Sequence, residues 1–125
     1  MNARLFALLT SSVVIISSIG PAWAQDANRY APDGLVNRLK ACTHLASGPD
    51  RVSLRNECDV PIHVLACATD SSGCDDADID PGSEQTVNVH GRAEFYACPQ
   101  RSNAVDLDDN PVTSAFVAHY RCMWS

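Results

Sequence analysis

The chain has 125 residues, among them 15 acidic and nine basic side chains, and its formal net charge at pH 7 is −6. This length supports one domain rather than two, and the acidic balance argues against nucleic acid or an anionic lipid surface as a partner. The six cysteines are an even number, which is typical of disulfide-bonded exported domains.

A positive start, an apolar stretch and a small-residue cleavage pattern predict a signal peptide at residues 1–24. Arg4 supplies the charge, residues 5–19 are mostly apolar, and Ala22-Trp23-Ala24 matches the pattern that a signal peptidase reads. The apolar stretch is short for a membrane span, which needs about 20 residues. We therefore expect a periplasmic or secreted protein, with no membrane attachment after cleavage and a single domain at residues 25–125.

Removal of the 24 leader residues leaves a mature chain of 101 residues. Because Arg4 leaves with them, the mature chain keeps eight basic and all 15 acidic residues, a net charge of −7. Such an excess favours solubility, and it also suits a basic partner, for instance an extracellular enzyme such as a lysozyme.

The cysteines all lie in the mature chain, and their spacing contains no CxxC pair of the zinc-ribbon kind. We therefore expect three disulfides, each adding about 2–4 kcal/mol of stability, mainly by restricting the unfolded chain. Six cysteines allow 15 pairings. Our predicted pairs are Cys67 with Cys74, which closes a short loop, Cys58 with Cys98, and Cys42 with Cys122.

One helix is predicted at the start of the mature domain, over residues 32–45. Leu35, Val36 and Leu39 recur at helical spacing, Pro32 suits a first helical turn, and Gly48-Pro49 ends the segment. This helix would include His44.

From residue 51 to residue 124 the chain alternates short apolar runs with turn residues, which is typical of β structure. Strands are predicted at residues 51–57, 61–69, 84–90, 93–98 and 113–124, with loops at 70–82 and 106–111. Gly91-Arg92 is predicted to form a tight hairpin. The expected fold is mainly β, a small antiparallel β-sandwich or open barrel with one N-terminal helix, cross-linked by disulfides.

Three short motifs carry a resemblance to a known group of proteins. They are the Asn56-x-Cys58 strand in VSLRNECDVPIHVLAC, the Pro81-Gly82 turn in IDPGSEQTV, and the aromatic-x-Cys strand in AEFYAC. Together they resemble small exported bacterial cysteine-rich β proteins, over residues 52–98. That group is largely uncharacterised, so the resemblance implies export and a β fold but no activity.

The two predicted loops are strongly acidic and are the candidate binding surface, because loops on a rigid sheet commonly carry recognition. Asp76, Asp78 and Asp80 also match the opening of an EF-hand calcium loop, but Pro81 and Val87 stand where that motif needs Gly and Glu. A solvated turn is thus favoured over a calcium site, and no cofactor is expected. The candidate binding residues are Asp75, Asp76, Asp78, Asp80, Asp106, Asp108 and Asp109.

Three histidines offer an alternative chemistry. His63, His90 and His119 each fall on a predicted strand, and three strands of one sheet could present them on one face, as a zinc site requires. Half-buried histidines with local hydrogen-bond partners are the simpler interpretation. If the metal site existed, the protein would be a small metal-dependent hydrolase.

Other catalytic patterns are missing from the sequence. It contains no GxSxG nucleophile elbow and no glycine-rich phosphate loop. The expected function is therefore an exported, non-enzymatic binding module for a protein or surface ligand, with a basic partner favoured by the charge. Trp124, the only tryptophan of the mature chain, is expected either to cap the core or to mark a contact surface.

Overall fold

The computed structural model describes residues 28–125, so the predicted signal peptide lies outside the described residues. Within the described part, one helix precedes eight strands. In chain order they are α1 (Asp33–Ala41), β1 (Thr43–Ser47), β2 (Val52–Asn56), β3 (Ile62–Ala68), β4 (Cys74–Ile79), β5 (Glu84–Val87), β6 (Ala93–Pro99), β7 (Ser102–Val105) and β8 (Arg121–Trp124).

The strands form three antiparallel sheets, ordered β1-β2-β5, β4-β3-β6 and β7-β8. None of these sheets closes into a barrel, and the predicted mainly β fold with an N-terminal helix is confirmed. No helix among residues 28–125 has both the length and the apolar character needed to cross a membrane.

The alternation of β3 places the middle sheet between two cores. Ile62 and Val64 share the first core with Val52 of the β1-β2-β5 sheet. Leu65 and Cys67 point to the opposite face, where they meet the second core beneath the β7-β8 ribbon. His63 also lies on this second face. The two-residue period of β3 therefore determines which side chains of β3 face the β7-β8 ribbon, where some are covered by the ribbon and others lie near the edge of the ribbon.

All six cysteines are oxidised, which indicates an oxidising, exported environment. The predicted Cys67–Cys74 bond is confirmed, but the other two predicted pairs are wrong. The observed bonds join Cys42 to Cys58 and Cys98 to Cys122. The first follows from the β1-β2 hairpin, which brings the end of α1 beside Cys58, and the second links β6 to β8 across the second core.

The predicted helix ends too late, because residues 43–47 form strand β1 and His44 is therefore not helical. At the end of α1, the Cys42 N–H donates to the Arg38 carbonyl at 3.2 Å. The Thr43 hydroxyl donates to the Leu39 carbonyl at 2.7 Å. These bonds satisfy carbonyls of the last helical turn. Strand β1 follows and pairs with β2 along the whole length of both strands.

Asn56 explains the Asn-x-Cys and Pro-Gly motifs together. Its buried side chain donates to the carbonyls of Val60 at 2.9 Å and Ile79 at 2.8 Å, and it accepts from the Cys58 N–H at 2.7 Å. Its backbone carbonyl accepts from Gly82 at 2.7 Å, and Gly82 has a φ of 77°, which favours glycine. The side-chain amide of Asn56 thus fixes the β2–β3 loop and the end of β4, and its backbone carbonyl fixes the turn into β5.

The segment at residues 70–82 is not the predicted loop, because it contains strand β4. β4 pairs with β3 over six residues, and its Ala77 and Ile79 face the first core. The intervening positions are aspartates, so the strand has an alternating pattern with small and charged side chains in place of the usual β-branched ones.

The predicted hairpin at Gly91-Arg92 is also wrong. β5 pairs with β2, whereas β6 pairs with β3, so the turn carries the chain from one sheet to the other. Gly91 has a φ of 78°, a conformation in which glycine is unstrained.

The predicted last strand is reduced to residues 121–124, and its partner β7 was not predicted. Two tyrosines hold the chain before β8 in an irregular path. The Tyr120 hydroxyl donates to the Ala97 carbonyl at 3.0 Å and accepts from the Ala97 N–H at 3.2 Å, thereby satisfying the open edge of β6. The Tyr96 hydroxyl donates to the Ser114 carbonyl at 2.9 Å and accepts from the Val117 N–H at 3.2 Å.

Candidate functional site

Two aspartates of β4 project from the second face of the middle sheet, next to His63. The register places Asp78 directly opposite His63 and Asp76 directly opposite Leu65. Because β4 is an edge strand beyond the cover of the ribbon, the side chains of Asp76 and Asp78 are 56% and 60% exposed, whereas that of His63 is only 17% exposed. Local strand pairing therefore presents two carboxylates to solvent on one face.

The His63 ring bridges these two carboxylates. Its Nδ1 lies 2.8 Å from Oδ1 of Asp78, and its Nε2 lies 3.1 Å from Oδ2 of Asp76. Each ring nitrogen is thus within hydrogen-bond distance of a carboxylate oxygen, and a ring nitrogen that carries a proton donates to that oxygen. Each carboxylate keeps its second oxygen free of His63, and can accept a further hydrogen bond there.

A groove with mainly apolar walls runs between this face and the β7-β8 ribbon. Its volume is about 310 Å³. Asp76 and His63 are among its lining residues, and we call the exposed pair Asp76 and Asp78 its rim. We call this groove, together with Asp76 and Asp78, the β4 groove. Its apolar walls come from Leu65, Ala104, Val105, Pro111, Val112 and Met123.

A second, polar groove of about 330 Å³ adjoins the β4 groove. The two share His63 and Asn103. Its lining includes Asp78 and Arg101, and the C-terminal Ser125 lies at its end. His63 thus stands where an apolar and a polar depression meet.

Asp109 of the second acidic loop also lines the β4 groove, so the two predicted acidic segments meet there. Its carboxylate is already engaged, because it accepts from the Tyr30 hydroxyl at 2.6 Å and forms ion pairs with Arg29 at 3.2 Å and Arg121 at 3.4 Å. The Arg121 guanidinium also lies 4.1 Å from the centre of the Tyr30 ring. The hydrogen bond to Asp109 raises the pKa of Tyr30. Asp109 therefore ties the start of the described chain to the ribbon.

The remaining predicted aspartates do not join the groove. Asp106 organises its own turn by accepting from the N–H groups of Asp108 at 2.8 Å and Asn110 at 2.9 Å, and the Asn110 bond is the main cause that lowers the pKa of Asp106. Asp75 accepts from the Asn88 N–H at 2.7 Å, on the other side of the sheet. Asp80 and Asp108 are exposed.

The structure does not bring the three candidate histidines together. His90 bonds to the Asp50 carbonyl, His119 lines a separate groove beside α1, and His63 has both nitrogens on carboxylates. Within residues 28–125, no group of three or more His, Cys, Asp or Glu side chains is placed to hold a metal ion.

No protein-family model matches this chain, and no curated protein or solved structure is significantly similar to it.

A larger concave surface lies between α1 and the irregular segment before β8. It consists of two depressions of about 550 and 360 Å³ that share Lys40, Ala118 and Tyr120. Leu107 and Phe116, which line them, are 57% and 67% exposed. Opposite charges balance along these walls, Asp33 and Glu94 against Lys40 and Arg121, so the surface has no charge preference.

Several groove residues were not selected from the sequence. Leu65 lies two residues after His63 on β3, and this two-residue spacing is the sequence signal that both side chains lie on the same face of the sheet. Asn103 and Met123 gave no comparable signal, because β7 was not predicted and β8 was predicted as part of a longer strand. Their position depends on long-range pairing between the ribbon strands.

Proposed function

We propose that this protein is an exported, non-enzymatic binding module of the periplasm or extracellular space, and that it captures a basic protein partner on the β4 groove. The observation that carries the proposal is the pair of exposed carboxylates, Asp76 and Asp78, beside a groove with apolar walls. In a chain of net charge −6, this surface would attract and orient cationic partners.

The covalent scaffold supports this role. Cys67 and Cys74 are directly opposite each other on β3 and β4, on the same face as His63 and Asp76. Their disulfide fixes the register that presents the carboxylates. A site that is already ordered loses less conformational entropy when a partner binds.

The lining of the two grooves favours binding over hydrolysis. Both ring nitrogens of His63 bond to carboxylates, so neither is available as a general base or metal ligand in this arrangement. The Ser102 hydroxyl is buried and donates to the Pro99 carbonyl at 2.7 Å. Among the described groove residues, no nucleophile is therefore paired with a base. Stoichiometric zinc in the purified protein would instead favour the hydrolase alternative.

The direct test compares two pairs of substitutions with the same change in net charge. Asp76→Asn with Asp78→Asn neutralises the rim of the groove, and Asp50→Asn with Asp59→Asn neutralises two exposed aspartates elsewhere. Affinity for a basic extracellular protein, with lysozyme as a first probe, is measured by calorimetry at two salt concentrations. We expect the rim pair to weaken binding about tenfold and the control pair to change it less than twofold.

Equal effects of the two pairs would show that general charge, and not this groove, attracts the partner. The same variants immobilised on resin and exposed to envelope extract identify the natural partner, which should be retained by the wild type and the control pair but lost by the rim pair. Cell fractionation and N-terminal sequencing test the compartment, with Gln25 as the expected first residue.

A further inference from the structure

Strand β3 contributes a histidine and a leucine, two residues apart, to the lining of the β4 groove. Along β3, Leu65 follows His63 at the spacing of i and i+2, which is about 6.6 Å in an extended strand. The cross-strand partners are both aspartates, because Asp78 is opposite His63 and Asp76 is opposite Leu65. The same spacing separates side chains on one face of any extended peptide.

Asp76 and Asp78 each keep carboxylate oxygen sites that can accept further hydrogen bonds. An ionised carboxylate has about four acceptor sites, and His63 uses one oxygen on each of Asp76 and Asp78. Arg29 and Arg121 bond to Asp109, and Arg101, which lines the polar groove together with Asp78, forms no ion pair with Asp76 or Asp78 in the described part of the chain. The pair of carboxylates therefore complements a cationic side chain that arrives from solvent.

The size of the groove limits what can enter it. A volume of about 310 Å³ is at the lower end of the range of roughly 300–1,000 Å³ found for ligand sites. Leu65 of β3 and Met123 of β8 are among the apolar side chains that line it. This space suits an apolar side chain from an extended segment and is too small for a helix or a folded domain.

We propose that the β4 groove recognises an extended basic segment of a partner protein, in which Lys or Arg is followed two residues later by a large apolar side chain. The cation pairs with Asp76 and Asp78, and the apolar side chain enters the groove between Leu65 and Met123. This inference rests on the proposed binding function and specifies the chemistry of its partner.

Three fluorescein-labelled peptides of equal length test the inference by fluorescence anisotropy. Their central sequences are Arg-Thr-Leu-Thr-Arg, Arg-Thr-Ser-Thr-Arg and Glu-Thr-Leu-Thr-Glu. We expect the first to bind at least about tenfold more tightly than the second, because burial of one leucine side chain supports a change of that size. The acidic peptide should not bind measurably.

Two protein variants and one control variant locate the two contacts. Asp76→Asn with Asp78→Asn should weaken both basic peptides about tenfold, whereas Asp50→Asn with Asp59→Asn should change them less than twofold. Met123→Gln should weaken the leucine peptide and leave the serine peptide unchanged. The comparison of peptides on the wild-type protein tests the apolar contact even if Met123→Gln does not fold.

Any one of four results would overturn this inference. The leucine and serine peptides bind with equal affinity, the acidic peptide binds as well as the basic ones, binding does not saturate, or neither basic peptide binds. The proposed function has a separate criterion, which is the loss of the basic protein when Asp76 and Asp78 are neutralised. A protein that binds by that criterion but does not distinguish the peptides would keep the function and reject the segment proposed here.

Discussion

Asn56→Ala should be among the most destabilising single substitutions in this domain. The side chain is fully buried and makes three hydrogen bonds of 2.7–2.9 Å with the backbone of Cys58, Val60 and Ile79. Alanine removes all three and leaves their backbone partners unpaired. At a net value of about 1 kcal/mol for each bond, with the added cost of the buried unpaired groups, we expect a loss of about 3–4 kcal/mol. The whole domain has about 5–15 kcal/mol of stability.

Urea unfolding with the disulfides intact measures this loss, with Asn37→Ala on the exposed face of α1 as the control. The control should change the free energy of unfolding by less than about 0.5 kcal/mol. A loss below about 1 kcal/mol for Asn56→Ala would refute the idea that this amide organises the loop.

Asn56→Asp separates hydrogen bonding from side-chain volume. The carboxylate would keep its bond from the Cys58 N–H but would face the carbonyls of Val60 and Ile79, two acceptors that it cannot satisfy. Burial beside acceptors should raise the pKa of the new carboxyl above the unfolded value of about 3.9. The folded state then binds more protons, so the variant should lose stability as pH rises above about 4. A loss that is independent of pH would contradict this reasoning.

Two further predictions concern the second core. Burial raises the pKa of Tyr120 to about 12, against about 10 for an unfolded tyrosine. Its contribution to stability should therefore be complete below pH 10 and lost as pH rises through about 12. Because the pKa values of Tyr30 and Tyr96 are also raised, ultraviolet titration should show that the last of the three phenols to ionise is the one missing in Tyr120→Phe. A wild-type titration that is complete near pH 10 would contradict the buried placement. Alanine replacement of the Cys98–Cys122 pair should cost about 3.4 kcal/mol and replacement of the Cys67–Cys74 pair about 2.4 kcal/mol, because the closed loops span 24 and seven residues. Chemical unfolding of the two variants measures this order, and the reverse order would argue against the chain-entropy explanation.

The central strand and the shortest disulfide were predictable because both depend on local sequence. Ile62, Val64 and Ala66 alternate clearly, and the structure confirms strand β3. Cys67 and Cys74 are only seven residues apart, and the turn between β3 and β4 brings them opposite each other.

β4 was missed because only its Ala77 and Ile79 pack in the first core, and three of its other four residues are aspartates. The acidic residues are typical of a loop, yet pairing with β3 makes the segment a strand in spite of its low intrinsic preference for β structure. The candidate binding residues therefore stay a prediction, and the sequence did not predict that Asp76 and Asp78 lie on one face of a strand. The register of β3 and β4 is what places Asp76 and Asp78 beside His63 and makes them a candidate site.

Long-range contacts account for the remaining errors. The wrong disulfide pairs assumed which strands were neighbours, and this information is absent from cysteine spacing. The predicted last strand was too long because Tyr96 and Tyr120 bond to backbone groups and hold residues 114–120 in an irregular path. No local sequence period distinguishes a tyrosine that caps a sheet edge from one that packs on a strand.

The binding account can be tested most directly by nuclear magnetic resonance. The isotope-labelled mature protein is titrated with the Arg-Thr-Leu-Thr-Arg peptide, and amide shifts are followed along the chain. We predict that the largest saturable changes occur at His63, Leu65, Asp76, Asp78 and Met123. Changes concentrated at Lys40 and Phe116 beside α1, or no saturable changes, would contradict the assignment of the binding surface to the β4 groove.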